Sequence, residues 1–184
     1  ADGDMDIAYA LLLAHEQWGS AGKYNYLADA RYMIHSIMKY EINQNSYSIL
    51  LSDAVEFDSE DYFDMRSSDF MPLHCKMFEL ATADPKWNKV VDNNYKLFQQ
   101  LQEGYSPDAG LVPDFIIHIN KTARPAHPGY LESRYDGCYN YNPCRVPLRI
   151  ATDYLLTGDN RSIEMLNRIT YWIRQTTSDN PDNI

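Results

Sequence analysis

The sequence predicts an all-α fold built from αα-hairpins. Apolar residues recur at spacings of three and four in six segments, which is typical of amphipathic helices. Short turns join these segments in pairs, and long irregular segments separate the pairs. The chain has 184 residues, 45% of them hydrophobic, so it is long enough for a buried core. We therefore expect a single domain over residues 1–184, with long loops and minor β-strand content.

The first helix is predicted at residues 5–18. Ile7, Leu11, Ala14 and Trp18 fall on one side of it, and two neighbouring leucines broaden that side. We therefore expect a well-buried helix, with the Trp18 ring in the core.

The second helix is predicted at residues 25–40. The polar and acidic segment at 43–64 follows it and is predicted to be a long loop that can hold a pair of strands. Long loops in compact domains are often functional. The third helix is predicted at residues 67–83, because the helix-breaking pair Asp84-Pro85 comes next.

The second half of the chain follows the same plan. The fourth helix is predicted at 85–102, and the irregular segment at 103–140 is rich in proline and glycine. One strand-like piece lies within it, at 115–119. The fifth and sixth helices are predicted at 143–156 and 161–175, so three successive helix pairs account for the ordered part of the chain.

Composition excludes some classes of function. The net charge of −10 argues against a nucleic-acid partner, because phosphate backbones are bound by clustered lysine and arginine. No apolar run is long enough to span a bilayer, and no signal peptide is visible. The histidines lack metal-ligand spacing, so we expect neither metal nor cofactor.

Cys75, Cys138 and Cys144 form no disulfide framework; we expect free, partly buried thiols, although Cys138 and Cys144 could pair across a turn.

The most specific motif lies at the start of the chain. Residues 2–18, DGDMDIAYALLLAHEQW, resemble the signature of the family 8 glycoside hydrolases, in which two aspartates flank a small residue and precede an apolar helix. Ala1 stands where the signature has Ser or Thr. Residues 66–71 (RSSDFM) and 141–149 (YNPCRVPLR) resemble two further family segments, and 110–115 (GLVPDF) is a weaker match. The resemblance therefore covers nearly the whole chain.

The resemblance implies an (α/α)6 barrel, in which an inner ring of helices is surrounded by an outer ring. The family's domains are considerably longer than this chain, so we expect about half of such a barrel. Half a barrel would expose the apolar faces of its inner helices, which predicts a homodimer or a higher assembly. The resemblance also implies a secreted protein whose partner is a polysaccharide.

The activity implied by the resemblance is hydrolysis of internal β-1,4 glycosidic bonds with inversion of configuration. Inversion needs a carboxylic acid and a carboxylate base on opposite faces of the sugar, about 6.5–9.5 Å apart. The family's acid is a Glu upstream of the signature, so no residue of this sequence corresponds to it. The alternative is a catalytically inactive half-barrel that binds carbohydrate.

The catalytic base is the position at which this chain departs from the commonest family pattern. Many members have Asp after the Tyr of the last segment, where this chain has Asn142, and an amide cannot accept a proton from water at neutral pH. A subgroup with Asn there, which includes chitosanases and some β-glucanases, takes its base from a Glu in the upstream loop. Glu132 fits that position and Asp136 competes with it; either could instead be a solvated loop carboxylate.

The resemblance assigns further roles. Asp2 is the catalytic-site carboxylate that holds the distorted sugar, although Asp2, Asp4 or Asp6 could simply cap the helix. Arg145 orients carboxylates and sugar hydroxyls, or forms a salt bridge at a helix start. Tyr141 lies in the cleft or packs in the core.

Asn142 and Asp69 complete the predicted substrate site, Asp69 as a supporting or helix-capping residue. The combination of Asn142 with Glu132 favours chitosan or mixed-linkage β-glucan as the substrate. Cellulose and xylan are the runners-up within the same class of enzyme.

Overall fold

The computed structural model describes residues 1–183, which contain six α-helices that pair in sequence. The helices are α1 (Asp2–Trp18), α2 (Tyr26–Tyr40), α3 (Pro72–Thr82), α4 (Lys86–Tyr105), α5 (Arg145–Thr157) and α6 (Asn160–Thr177). Helix α1 packs on α2, α3 on α4 and α5 on α6, while α3 also contacts α1 and α5. The odd-numbered helices form one row and the even-numbered helices lie behind it. The all-α prediction is confirmed, and the double row matches half of a two-ringed barrel.

The core lies between the two rows of helices. The Phe78 ring of α3 meets the Trp87 ring of α4 edge-on, with 5.0 Å between their centroids. Phe70 and Phe98 meet in the same way at 5.3 Å. All four side chains are at most 1% exposed, so this aromatic contact fixes α4 against α3.

Local sequence explains where several helices begin and end. The Asn25 side chain accepts a hydrogen bond from the Ala28 N–H at 3.1 Å and so caps α2. The Asp159 side chain caps α6 by accepting from the Arg161 N–H at 3.0 Å. Gly158 follows α5 with φ of 70°, a left-handed conformation that favours glycine.

The third helix begins later than the predicted residue 67. Ser67–Asp69 form a separate 3-10 turn, and α3 starts only at Pro72. A proline disfavours helical geometry at the residue before it, and Met71 accordingly has φ of −120° and ψ of 79°. As a result, Asp69 lies in a buried turn ahead of the helix and does not cap it.

Helix α1 buries a different face from the one that its periodicity predicted. Met5 and Ala8 are its buried residues, whereas Ile7 is 55% exposed and Trp18 is 72% exposed. The prediction that Trp18 lies in the core is wrong, because the part of α1 that is buried against its neighbours centres on Met5 and Ala8.

A small antiparallel sheet joins the two long loops. Its strands are β1 (Met65–Arg66), β2 (Phe115–Ile117) and β3 (Arg124–Pro125), in the order β1-β2-β3. The strand predicted at 115–119 is confirmed over 115–117. Arg66 pairs with Phe115, so the register brings the segment before α3 beside the loop that precedes α5.

Two sequence expectations concern the membrane and the cysteines. Within residues 1–183 no helix is both long and apolar enough to cross a bilayer. The three cysteines in that range are free; Cys75 is buried, whereas Cys138 and Cys144 are exposed. Free thiols were expected, but only one of them is buried.

Candidate active site

Four segments meet at one end of the helix row. Asp2 is the first residue of α1, Ser68 lies in the 3-10 turn ahead of α3, and Arg145 is the first residue of α5. Asp114 comes directly before β2. Side-chain hydrogen bonds link these segments, so residues far apart in sequence form one polar cluster.

Two arginines hold the Asp2 carboxylate. Arg145 Nη1 donates to Asp2 Oδ2 at 3.1 Å, and Arg149 Nη2 donates to the same oxygen at 3.2 Å. The second guanidinium nitrogen of Arg145 donates to Ser68 Oγ at 3.0 Å. A planar guanidinium presents several donors in fixed directions, which suits it to this bridging role. Asp2 is about one-third exposed, so it remains accessible to a ligand.

The contacts of Asn142 fix the orientation of its amide. Its Nδ2 donates to Asp114 Oδ2 at 2.9 Å and to Glu132 Oε2 at 3.3 Å. Its Oδ1 accepts from Arg145 Nη2 at 3.3 Å. The nitrogen therefore faces two carboxylates and the oxygen faces a cation. Asn142 connects the arginine that holds Asp2 to the carboxylate of Glu132.

Glu132 lies at the open side of the cluster. Arg66 Nη2 donates to its Oε1, while Asn142 donates to its Oε2. The Glu132 side chain is 46% exposed, so solvent reaches a carboxylate whose two oxygens are held in place. The Arg66 guanidinium lies 4.6 Å above the centre of the Phe115 ring, which restricts where Arg66 can point.

Asp136, the competing base, shapes the loop instead. It is fully buried, and its carboxylate accepts the backbone N–H groups of Leu131, Glu132 and Ser133 at 2.7, 3.0 and 2.7 Å. Burial alone would raise the pKa of Asp136, but these donors bring it below its usual range. A strongly hydrogen-bonded, buried carboxylate is a poor proton acceptor.

Asp69 and Tyr141 differ sharply in exposure. Asp69 is buried, and burial together with the nearby Asp2 carboxylate raises its pKa to about 6. Tyr141 is 87% exposed, so the alternative that it packs in the core is wrong. Its ring is free to contact a ligand at the rim of the cluster.

The alternative that the aspartates of α1 only cap the start of this helix holds only in part. Asp2 Oδ1 accepts the adjacent Gly3 N–H at 2.9 Å, but its other oxygen faces the arginines. Asp6 Oδ1 lies 3.0 Å from His74 Nε2, which links α1 to α3. Asp2 therefore belongs to the cluster, whereas Asp6 joins two helices.

Sequence reasoning missed three members of the cluster. Arg149 lies one helical turn after Arg145, so the helical period alone puts the two on one face. Asp114 and Arg66 carried no such signal, because their proximity depends on the pairing of β1 with β2. Among residues 1–183, no group of three or more His, Cys, Asp and Glu side chains could hold a metal ion.

Comparisons with known proteins identify the family of this chain. Residues 1–182 match the model of glycosyl hydrolases family 8. The chain is 46% identical to a "Beta-glucanase" of Niallia circulans, covering 100% of this chain and 44% of that protein. It is 40% identical to an "Endoglucanase" of a Bacillus species, covering 100% of this chain and 39% of that protein. The chain therefore spans less than half the length of these curated relatives.

Solved structures show the same fold. The apo structure of a β-1,3-1,4-glucanase from Paenibacillus sp. X4 superposes with a TM-score of 0.95 at 45% identity, covering 100% of this chain and 48% of that one. A cold-adapted family 8 xylanase superposes with a TM-score of 0.73 at 20% identity, covering 99% and 45%, and supports the fold alone. The family model matches residues 1–182 of this chain, so the chain belongs to family 8 of the glycosyl hydrolases.

Proposed function

We propose that this chain carries the base side of the catalytic centre of an endo-acting glycoside hydrolase that cleaves a β-linked glucan with inversion. One observation carries the proposal: Glu132 is solvent-accessible, yet Arg66 and Asn142 hold both of its oxygens. Hydrogen bonds through Asn142 and Arg145 link it to Asp2. An accessible and fixed carboxylate is what a general base requires.

The proposed mechanism follows from these contacts. Glu132 accepts a proton from a water molecule, and the water oxygen attacks the anomeric carbon as the glycosidic bond breaks. Asp2 holds the sugar ring at the bond to be cleaved, with Arg145 and Arg149 fixing its carboxylate. Tyr141 offers an exposed ring for stacking against a neighbouring sugar. The departing glycosidic oxygen takes its proton from a carboxylic acid on the opposite face of the sugar, as inversion requires.

The charges of the cluster favour a neutral polysaccharide. Arg66, Arg145 and Arg149 offset the carboxylates that they contact, so the cluster is not a strongly negative cleft. Attraction of a cationic polymer such as chitosan is weakened accordingly. The relatives above 40% identity include a β-glucanase and a β-1,3-1,4-glucanase, so mixed-linkage β-glucan is the proposed substrate.

Release of reducing ends from lichenan, carboxymethylcellulose and chitosan, assayed with this chain inside a complete family 8 catalytic domain so that a proton donor is present, tests this function. We expect the fastest release from lichenan, and the first product to appear as the α-anomer in proton NMR spectra, as inversion requires. Binding of lichenan without release would support an inactive carbohydrate-binding half-barrel.

Glu132→Gln tests the base. The variant keeps the shape of the side chain but cannot take a proton, so we expect the turnover number to fall by about 10²–10⁴-fold. Glu103→Gln is the matched control, since Glu103 is similarly exposed (52%) but lies on α4 beside Arg168. Equal turnover in Glu132→Gln and Glu103→Gln would reject Glu132 as the base.

The assembly is a further part of the proposal. Ile7 and Leu13 of α1 and Leu148 and Leu155 of α5 are more than half exposed. Such apolar faces favour association, and we propose that two copies of the isolated chain bury them together. Sedimentation at micromolar concentration should show a dimer, and a monomer would reject this. Because the proposed substrate is a polymer, we also propose that the protein acts outside the cell.

A further inference from the structure

Asp114 lies where the two donors to Glu132 meet. Its Oδ2 accepts from Asn142 Nδ2 at 2.9 Å, and its Oδ1 lies 3.6 Å from Arg66 Nε. Arg66 and Asn142 also donate to the two oxygens of Glu132. Each donor therefore bridges the same pair of carboxylates, one buried and one accessible.

The two carboxylates differ in how deeply they are buried. The Asp114 N–H donates to Cys138 O at 3.0 Å, and Asp114 O accepts the Ser67 N–H at 2.8 Å. Strand β2 begins at the next residue, and the Asp114 side chain is 2% exposed. Glu132, by contrast, lies in a loop with a half-exposed side chain. The buried carboxylate can thus set the position of the accessible one through their shared donors.

Stability alone does not account for a carboxylate at position 114. Burial, opposed by the Asn142 hydrogen bond and the Arg66 charge, raises the pKa of Asp114, so the ionised form is unfavourable there. Within residues 1–183, its Oδ1 has no hydrogen-bond partner. Buried polar atoms are normally paired, and exceptions often mark functional sites.

We propose that Asp114 is a positioning residue for the catalytic base: it holds Arg66 and Asn142 in the orientation in which both donate to Glu132. The inference rests on the proposed role of Glu132 as the base. Asp114 itself touches neither water nor sugar in the reaction.

Asp114→Asn tests the proposal, because it removes the charge and one acceptor while keeping the side-chain shape. The ion pair with Arg66 is lost and Glu132 is held less firmly. A misplaced catalytic group costs up to about 10²-fold in rate, so we expect kcat on lichenan to fall by about 10–100-fold with little change in KM. Asp153→Asn is the matched control, since Asp153 is also a buried carboxylate but hydrogen-bonds to Lys76 and Tyr95. It should destabilise the fold and leave kcat unchanged.

A second measurement does not require turnover. The ¹³C carboxyl resonance of labelled Glu132 should shift in Asp114→Asn and stay in place in Asp153→Asn. If Glu132→Gln abolishes turnover while Asp114→Asn keeps the wild-type kcat and resonance, the inference fails and the proposed function stands. If Glu132→Gln turns over normally, the proposed function fails, and the resonance alone then decides whether Asp114 positions Glu132.

Discussion

The Asp153 cluster and the Asp2–Glu132 cluster both join α5 to its neighbours, but they differ in how completely their polar atoms are paired. Asp153 is fully buried and accepts from Lys76 Nζ at 2.8 Å, Tyr95 OH at 2.7 Å and Ser162 Oγ at 2.8 Å. These donors come from α3, α4 and α6. Both carboxylate oxygens are hydrogen-bonded, so the cluster connects four helices without an unpaired acceptor on Asp153.

The Asp2–Glu132 cluster is open and incompletely paired. Asp114 Oδ1 and Arg149 Nη1 are buried, and within residues 1–183 neither has a hydrogen-bond partner. Glu132 and Asp2 are partly exposed. A fully paired buried network is suited to holding helices together, whereas unpaired atoms beside accessible carboxylates are suited to a ligand. Degree of pairing thus separates the structural ion cluster around Asp153 from the proposed active site on the same helix.

The largest effect on stability should come from Asp153→Asn. Within residues 1–183, removing this charge leaves Lys76 with only Asp159 as an ionic partner and deprives two buried hydroxyls of an ionised acceptor. Breaking a buried ion pair costs about 3–5 kcal/mol, so we expect the free energy of unfolding in urea to fall by about 3 kcal/mol. Lichenan turnover by the folded variant should be unchanged.

The exposed edge of the same cluster provides the control. Asp92 is 65% exposed and contacts Arg161, so Asp92→Asn should cost less than about 1 kcal/mol. If Asp153→Asn costs no more than Asp92→Asn, the paired cluster does not hold the helices together and the contrast with the open cluster breaks down.

A smaller effect of opposite sign is expected from Asp69→Asn. The pKa of Asp69 is raised from 3.8 to about 6 in the folded protein, so its contribution to stability is complete below pH 3.8 and is lost as the pH rises through 6. Above pH 6 the ionised, buried carboxylate destabilises the fold. A neutral amide removes this penalty, and we expect Asp69→Asn to raise the free energy of unfolding by about 2 kcal/mol at pH 8.

The pH dependence sharpens that prediction. The gain measured by urea unfolding should shrink steadily between pH 7 and pH 4.5, as wild-type Asp69 takes up its proton. A gain of equal size at both ends of this range would contradict the assignment, because it would not come from the charge.

The sequence was informative where structure is local and less so where it depends on pairing at a distance. The helices and the strand at Phe115 followed from periodicity, and the motifs predicted that Asp2, Asn142, Arg145 and Glu132 belong together. The burial of α1 did not follow, because an apolar stripe does not say which side meets a neighbour. Trp18 is exposed for that reason.

There is also a physical reason why the sequence did not predict two of the site residues. Arg66 and Asp114 approach each other only because β1 pairs with β2 in one register, and a shift by one residue would turn their side chains to the other face. Strands of two or three residues carry too few side chains to specify that register. By contrast, the start of α3 is a local property, because Pro72 disfavours helical geometry at Met71 and the helix begins at the proline.

The orientation of Asn142 bears on how such a centre could change during evolution. Its nitrogen faces Asp114 and Glu132, so an aspartate at this position would bring three carboxylates together. The charge repulsion means that a base at 142 and a base at 132 exclude each other while Asp114 is present. Moving the proposed base from one position to the other would therefore require substitutions at both 132 and 142.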